Sequence, residues 1–158
     1  MYAAAVLTVS DRSSAGERDD TSGPVAVAAL REAGFACAEP VVVPDGADSV
    51  EGALRKLLAD GIRLIVTTGG TGVSPRDETP EGTARVLTRE VPGIAEELRR
   101  RSTAEKPAGM LSRGLAGLAG ETLIVNLPGS PAAVASGMPI LLQVAPHVLA
   151  QVQGEDHR

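Results

Sequence analysis

Four short apolar runs, each followed by a polar or glycine-rich turn and then by a helical pattern, restrict the folds open to this chain. The runs cover Ala3–Val9, 35–43, 62–67 and Thr122–Leu127. Strands that alternate with helices form βαβ units, and these units build a parallel sheet with helices on both faces. At 158 residues the chain is most simply one domain. We therefore predict a single α/β domain over residues 1–158 with a mostly parallel central sheet.

The segments between the runs carry helical patterns of apolar residues. We predict helices over 22–33, 48–60, 80–88, 92–101 and 110–118 and a last helix after residue 131, with loops over 10–22 and 102–109. Asp48 and Glu51 have the spacing of a capping box at the start of the second helix. Pro139 and Pro146 lack the N–H that a helix interior needs, so we expect them to kink or interrupt the last helix.

Composition argues against several classes of function. The formal net charge is −5, whereas nucleic-acid binding needs a basic face. With one Tyr, one Phe and no Trp, the chain also lacks aromatic side chains on which bases could stack. The single cysteine, Cys37, fits a reducing compartment, and no apolar run reaches the roughly 18 residues of a membrane span. We therefore expect a cytoplasmic protein that binds neither nucleic acid nor membrane.

The stretch 66–81, which reads VTTGGTGVSPRDETPE, carries the strongest indication of a binding site. Glycines let backbone N–H groups turn together towards an anion, and a helix N-terminus adds unpaired donors and a favourable dipole. The spacing matches neither the P-loop nor the dinucleotide-binding fingerprint. The stretch therefore predicts phosphate binding, with a simple tight turn as the alternative. The residues of the turn are Gly69, Gly70, Thr71 and Gly72.

Two aspartates, Asp45 and Asp77, each follow a predicted strand. Ligands of parallel sheets bind beyond the carboxyl ends of the strands, so both carboxylates are expected in one pocket. Two carboxylates beside a polyphosphate usually hold Mg²⁺. Ordinary turn chemistry is the alternative for Asp45, which lies in a Pro-Asp-Gly sequence. For Asp77 the alternative is a local turn or an ion pair with Arg76.

Further polar residues fall on the same converging loops and are candidates either for ligand binding or for helix capping and turn stabilisation. They are Ser10, Asp11, Thr79, Pro80, Glu81 and Ser130. Arg12, Arg76 and Arg113 are candidate anion ligands, although each alone is more typical of a solvated surface charge. His147 on an apolar helix and His157 in the tail support neither a Ser-His-Asp triad nor a zinc site.

These motifs, in this order, resemble the molybdenum cofactor biosynthesis proteins of the MogA/MoaB type. The resemblance covers nearly the whole chain and implies a three-layer αβα fold and a homotrimer. The matching segments are LTVSDR at 7–12, SGP at 22–24, VPD at 43–45, TTGGTG at 67–72, RDETPE at 76–81, LSR at 111–113 and NLPGSP at 126–131.

The resemblance implies a molybdopterin adenylyltransferase. In that reaction the terminal phosphate of molybdopterin attacks the α-phosphate of ATP, which gives adenylyl-molybdopterin and pyrophosphate and requires Mg²⁺. The aspartates matching Asp45 and Asp77 are tied to catalysis in this family. The glycine-rich turn and a second turn are implied to hold phosphates or the pterin, and an LSR segment lies at the pocket. The residues of these two further segments are Pro128, Gly129 and Ser130, and Ser112 and Arg113.

Two other functions remain open. A MoaB-type protein without catalytic activity would bind or carry the pterin with the same motifs. A competence-damage-type nucleotide hydrolase shares a GG-rich loop, but those proteins carry a different acidic motif after it. The resemblance also implies the molybdate-inserting enzyme of the pathway as a partner.

Overall fold

The computed structural model describes residues 1–154, so His157 lies outside the described part of the chain. The strands are β1 (Ala3–Val9), β2 (Ala36–Cys37), β3 (Val41–Val43), β4 (Leu64–Thr68), β5 (Arg89–Glu90), β6 (Ala116–Ala119) and β7 (Thr122–Leu127). The helices are α1 (Asp11–Ser14), α2 (Ser22–Glu32), α3 (Ala47–Ala59), α4 (Thr79–Ala84), α5 (Pro92–Glu105) and α6 (Pro131–Val152), together with the 3₁₀ helix Pro107–Leu111.

The central sheet is mostly parallel, as predicted. Its strand order is β2-β1-β4-β7-β6-β5, and β3 also pairs with β1. β1, β2, β3, β4 and β7 run parallel, whereas β6 is antiparallel to both β7 and β5. The carboxyl ends of β1, β3, β4 and β7 therefore lie along one edge of the sheet, where the predicted ligand-binding loops follow.

Helices cover both faces of the sheet and bury an aliphatic core on each. Successive residues of a strand point to opposite faces, so Val6 packs beneath α2 and α6 while Leu7 packs beneath α3. α5 lies beside α6 on the first face, and α4 lies beside α3 on the second. This arrangement confirms the three-layer αβα fold.

The predicted helix over 110–118 is wrong, because residues 116–119 form strand β6 of a hairpin. Gly120, with a φ of +60°, turns the chain directly into β7. The sequence of β6 is Ala-Gly-Leu-Ala, which lacks the β-branched and aromatic residues that mark a strand. The close approach of β5 also depends on a glycine, since a Cβ on Gly117 would meet the carbonyl oxygen of Arg89.

Other boundaries also differ from the prediction. The expected loop over 10–22 contains the short helix α1, α4 ends at Ala84, and α5 continues to Glu105. The expected strand over 35–43 is split into β2 and β3, and Pro40, which has no N–H to donate, lies between them.

The predicted capping box at α3 is wrong because a distant side chain caps this helix. α3 begins at Ala47, whose N–H donates to Glu78 Oε2 at 2.9 Å. Asp48 and Glu51 instead accept hydrogen bonds from Arg85 Nη1 at 2.7 and 3.2 Å. The loop before α4 thus holds the start of α3, which a local sequence pattern cannot reveal.

Helix α6 runs without interruption from Pro131 to Val152 and includes Pro139 and Pro146. Among residues 1–154 it is the one helix long and apolar enough to cross a membrane, so our expectation that no stretch meets that test was wrong. Of its most apolar 18-residue stretch, 33% is buried. The core helix of a soluble protein can also be this long and this apolar. Its buried side chains, among them Met138 and Leu141, belong to the core beneath α2 and α5.

Candidate functional site

A cleft of about 580 Å³ opens at the carboxyl edge of the sheet, and we call it the first lobe. Loops that follow β1, β3, β4 and β7 line it, so the topology brings together segments that are far apart in the sequence. The predicted site residues in its lining are Ser10, Asp45, Gly69, Gly70, Thr71, Gly72, Asp77, Gly129 and Ser130.

A second lobe of about 360 Å³ adjoins the first. The two lobes share Gly72, Asp77 and Ser130, so Asp77 stands where they meet. Two further predicted residues, Ser112 and Pro128, line the second lobe. Its wall is more apolar than that of the first lobe and includes Val73, Ala108, Leu111, Ala132 and Ala133.

The glycine-rich loop after β4 requires glycine at two consecutive positions. Gly69 and Gly70 have φ angles of +92° and +70°, a region that side chains disfavour. A Cβ on Gly69 would meet the carbonyl oxygen of Val9, and one on Gly70 would meet Thr79 Oγ1. Gly69 N also donates to the carbonyl of Leu127 at 3.0 Å. The loop is therefore fixed against the ends of β1 and β7 and the start of α4.

Five predicted site residues line neither lobe: Asp11, Thr79, Pro80, Glu81 and Arg113. Thr79 is buried and donates from Oγ1 to the carbonyl of Gly69 at 2.9 Å. Arg113 Nη1 donates to both Glu81 carboxylate oxygens at 2.9 Å, and Nε donates to the carbonyl of Gly72 at 2.8 Å. Thr79, Glu81 and Arg113 thus stabilise the conformation of the loop. Contact of any of these five residues with a ligand stays a prediction.

Asp11 and Asp45 bind each other reciprocally. Asp11 N donates to Asp45 Oδ2 at 3.0 Å, and Asp45 N donates to Asp11 Oδ1 at 3.0 Å. Arg76 clamps the pair: Nε and Nη2 donate to the Asp11 carboxylate at 3.1 Å each, and Nη2 also donates to the Asp45 carbonyl at 2.9 Å. The carboxylate of Asp11 is therefore engaged beside the cleft, whereas that of Asp45 lines it.

Asp77 does not pair with Arg76, so that alternative is wrong. Its Oδ2 accepts a hydrogen bond from the backbone N–H of Ser74 at 3.0 Å, which holds the turn before α4. The same oxygen lies 2.9 Å from where a Cβ on Gly72 would stand. The local turn predicted as an alternative thus exists together with a carboxylate that lines both lobes.

The two reciprocal aspartates differ in their electrostatic environment. The hydrogen bonds from Arg76 lower the pKa of Asp11. Burial raises the pKa of Asp45, and the nearby carboxylates of Asp11 and Asp77 raise it further. The first lobe thus contains a region of negative potential that a cation would relieve.

The residues present fit a magnesium ion shared with a ligand. Mg²⁺ prefers oxygen ligands and is commonly held by one or two carboxylates, with water and substrate phosphates completing its shell. Asp45 and Asp77 can supply those carboxylates. Residues 1–154 contain no group of three or more His, Cys, Asp or Glu suited to a metal, so the fit is to an ion bound together with a phosphate.

Because the pKa of Asp45 is raised in the folded state, ionisation of this carboxyl opposes folding. The stability that its neutral form contributes is lost as the pH rises through the folded pKa. We expect Asp45→Asn, which stays neutral and keeps an acceptor for Asp11 N, to stabilise the protein at pH 7 by up to about 1 kcal/mol. The gain should shrink towards pH 4.

Urea unfolding in EDTA at several pH values measures this effect. Asp11→Asn is the control of opposite sign, because the pKa of Asp11 is lowered and its stabilising contribution is lost as the pH falls. An Asp45→Asn variant less stable than the wild type at pH 7 would contradict the prediction.

A polar cluster that the sequence motifs did not indicate also lines the first lobe. Asp20 accepts hydrogen bonds from Thr8 Oγ1 at 2.7 Å and from Gly23 N at 2.9 Å. Ser22 Oγ lies 3.1 Å from Thr68 Oγ1. The available signal was that Thr8 and Thr68 place hydroxyls near the ends of otherwise apolar strands and are buried there.

The exposed Arg12 fits the solvated surface charge given as its alternative. Arg12 does not line the first lobe, whereas Arg18 does. Both lie in the segment between β1 and α2 that was predicted as a loop, and both are exposed. No sequence pattern distinguishes Arg18 from Arg12, because the fold of the whole segment determines which of the two side chains lies at the cleft.

Fold and cleft together define an α/β protein of mostly parallel sheet with a glycine-lined, carboxylate-bearing cleft at its carboxyl edge. Residues 5–147 match the family described as "Probable molybdopterin binding domain". The chain belongs to this family, and this confirms the MogA/MoaB resemblance.

Curated relatives carry matching names. The molybdenum cofactor biosynthesis bifunctional protein of Synechococcus elongatus is 39% identical over 154 residues, which cover 98% of this chain and 48% of that protein. The molybdopterin adenylyltransferase of Helicobacter pylori is 36% identical over 155 residues, which cover 94% of this chain and 86% of that protein. The chain spans about half or less of the length of the first curated relatives it matches.

Solved structures confirm the fold. The molybdopterin biosynthesis Mog protein of Mycobacterium ulcerans is 42% identical, with a TM-score of 0.91 over 96% of this chain and 99% of that one. The molybdopterin biosynthesis enzyme MoaB of Thermus thermophilus is 42% identical, with a TM-score of 0.90 over 100% of both chains. A CinA protein of Thermoplasma acidophilum, at 22% identity and a TM-score of 0.66 over 92% of this chain and 96% of that one, shares the fold alone.

Proposed function

We propose that this protein is a molybdopterin adenylyltransferase. It transfers AMP from ATP to the terminal phosphate of molybdopterin and releases pyrophosphate, with Mg²⁺. The observation that carries the proposal is the convergence of the glycine-rich loop, Asp45 and Asp77 on one two-lobed cleft. The name of the relative from Helicobacter pylori supports it.

The chain's own groups suit nucleotidyl transfer, in which positioning and charge stabilisation do most of the work. Backbone N–H groups of Gly70, Thr71 and Gly72 bind phosphate oxygens, whereas that of Gly69 donates to the Leu127 carbonyl. Asp45 and Asp77 would hold Mg²⁺, and the bound ion would neutralise charge that develops on the phosphates. The attacking phosphate is already ionised at neutral pH, so the reaction needs no histidine base.

The two lobes differ in character, and this difference supports one substrate in each. The first lobe is the larger. Its hydroxyls can donate to the phosphates of Mg-ATP, and its carboxylates can bind the magnesium ion. The second lobe has an apolar wall that includes Val73 and Leu111, which suits a flat ring system. Asp77 lies where the lobes meet, and we place the phosphate that is attacked beside it.

The proposal includes a homotrimer in the cytoplasm that passes its product to the molybdate-inserting enzyme. An exposed apolar surface supports assembly, because such surfaces mark protein contacts. Val144 on α6 is 39% exposed, and Pro139 and Pro146 on the same helix are exposed too.

A direct assay tests the activity. Purified protein is mixed with molybdopterin, ATP and Mg²⁺, and mass spectrometry follows adenylyl-molybdopterin and pyrophosphate. We expect the two products in equal amounts and neither of them when EDTA replaces Mg²⁺.

A pterin-binding protein of MoaB type without catalytic activity is the second candidate. Solved relatives at the same 42% identity carry the Mog and the MoaB name, so the names do not distinguish this candidate from the first. Tight molybdopterin binding without product, in the presence of Mg-ATP, would establish this second function and reject the first.

A further inference from the structure

The first lobe has a marked excess of carboxylates over cationic side chains. Arg18 is the one Lys or Arg residue that lines it within residues 1–154. Asp19, Asp20, Asp45 and Asp77 line the same lobe. A polyphosphate bound there therefore meets a single guanidinium besides any metal ion.

The arginines that the sequence motifs favoured cannot serve this purpose without breaking internal contacts. Arg76 donates from Nε and Nη2 to Asp11 and to the carbonyl of Asp45. Arg113 donates from Nε, Nη1 and Nη2 to the carbonyl of Gly72, the carboxylate of Glu81 and the carbonyl of Asp77. Both guanidinium groups thus support the loops instead of facing a ligand.

The residues on either side of Arg18 are hydrogen-bonded, whereas its own side chain is exposed at the first lobe. On one side Glu17 N donates to the carbonyl of Arg12 at 2.9 Å. On the other, the carboxylate of Asp20 is bound by Thr8 Oγ1 and Gly23 N. Within the described part of the chain the Arg18 guanidinium has no hydrogen bond or ion pair, so its donors are free for a ligand.

We propose that Arg18 binds the β- and γ-phosphates of ATP, which leave as pyrophosphate. This inference rests on the proposed function. If Asp45 and Asp77 place Mg²⁺ near the α-phosphate, the remaining phosphates extend along the lobe and need positive charge. The planar guanidinium can donate hydrogen bonds to two phosphate oxygens at once. Its positive charge also neutralises the negative charge of the adjacent Asp19.

Calorimetric titration of pyrophosphate and of ATP, each with Mg²⁺, tests the role of Arg18. Arg18→Gln should weaken the binding of both ligands about tenfold, because it removes a charge-assisted contact. Arg12→Gln is the matched control: it makes the same change of charge in the same segment but outside the cleft lining, and it should change affinity less than twofold. Added salt should narrow the difference between Arg18→Gln and the wild type.

The outcomes separate this inference from the proposed activity. Equal affinities in the two variants would overturn the role of Arg18, even if the wild type makes adenylyl-molybdopterin. Pyrophosphate binding that depends on Arg18, in a wild type that makes no product, would support Arg18 and reject the activity. A wild type that binds neither pyrophosphate nor ATP would overturn the inference about Arg18. Thermal unfolding of all three proteins confirms that they are folded.

Discussion

For the adenylyltransferase proposed above, we expect Asp77→Asn to lower the rate of adenylyl-molybdopterin formation by a factor on the order of 100 to 1000, the range found when one charge-stabilising group is removed. Asp77 lines both lobes, so its charge acts where the two substrates meet. Asparagine keeps an oxygen that can accept from Ser74 N, as Asp77 Oδ2 does at 3.0 Å, and the turn should survive. Asparagine has nearly the shape of aspartate, so the change in rate measures the loss of the negative charge of Asp77. Single-turnover product formation measures it.

Asp60→Asn is the control for this substitution. Asp60 lies at the end of α3, where it pairs with Lys56 at 3.3 Å, and it lines neither lobe. This variant should keep the wild-type rate within twofold. An Asp77→Asn variant that kept its activity within a few-fold would show that Asp77 is not a metal ligand in the reaction.

Gly70→Ala destabilises the protein by about 2–5 kcal/mol, the sum of backbone strain and overpacking. The backbone at Gly70 has a φ of +70°. A methyl group there would meet Thr79 Oγ1 and would lie 3.1 Å from Asp45 Oδ1. Thr79 cannot turn away freely, because it is buried and bonded to the carbonyl of Gly69. The loop must therefore shift, and product formation should fall on the order of 100-fold.

Gly61→Ala is the control that separates backbone strain from overpacking. Gly61 has a φ of +81°, close to that of Gly70, but nothing lies within 4 Å of the position a Cβ would take. This variant should lose only about 1–2 kcal/mol from backbone strain and keep its activity. Urea unfolding and the product assay compare the two. Equal losses of stability would mean that packing of the loop against Thr79 and Asp45 contributes nothing.

The parts of the fold that the sequence predicts well are those in which local pattern and tertiary environment agree. β1 and β7 match their predicted bounds, because continuous apolar runs are typical of strands buried on both faces. The segment of β6 fails for the opposite reason. Its Ala-Gly-Leu-Ala sequence favours no strand, and pairing with β7 and β5 decides its structure.

The candidate site divides in a similar way. The sequence predicted that the glycine-rich loop, Asp45 and Asp77 would meet, since they all follow strands that end at one edge. It did not predict which arginine faces the cleft. Arg76 pairs with a residue 65 positions away and Arg113 with one 32 positions away, and no local rule contains such partners.

The reciprocal bonds between Asp11 and Asp45 make the loops after β1 and β3 one mechanical unit. Each carboxylate is the acceptor for the other residue's N–H, across a sequence separation of 34 residues. A change at either position to a residue without an acceptor leaves a donor unpaired in the other loop. We therefore expect a substitution that removes the acceptor from either loop to disturb the start of α1 and the approach to α3 together.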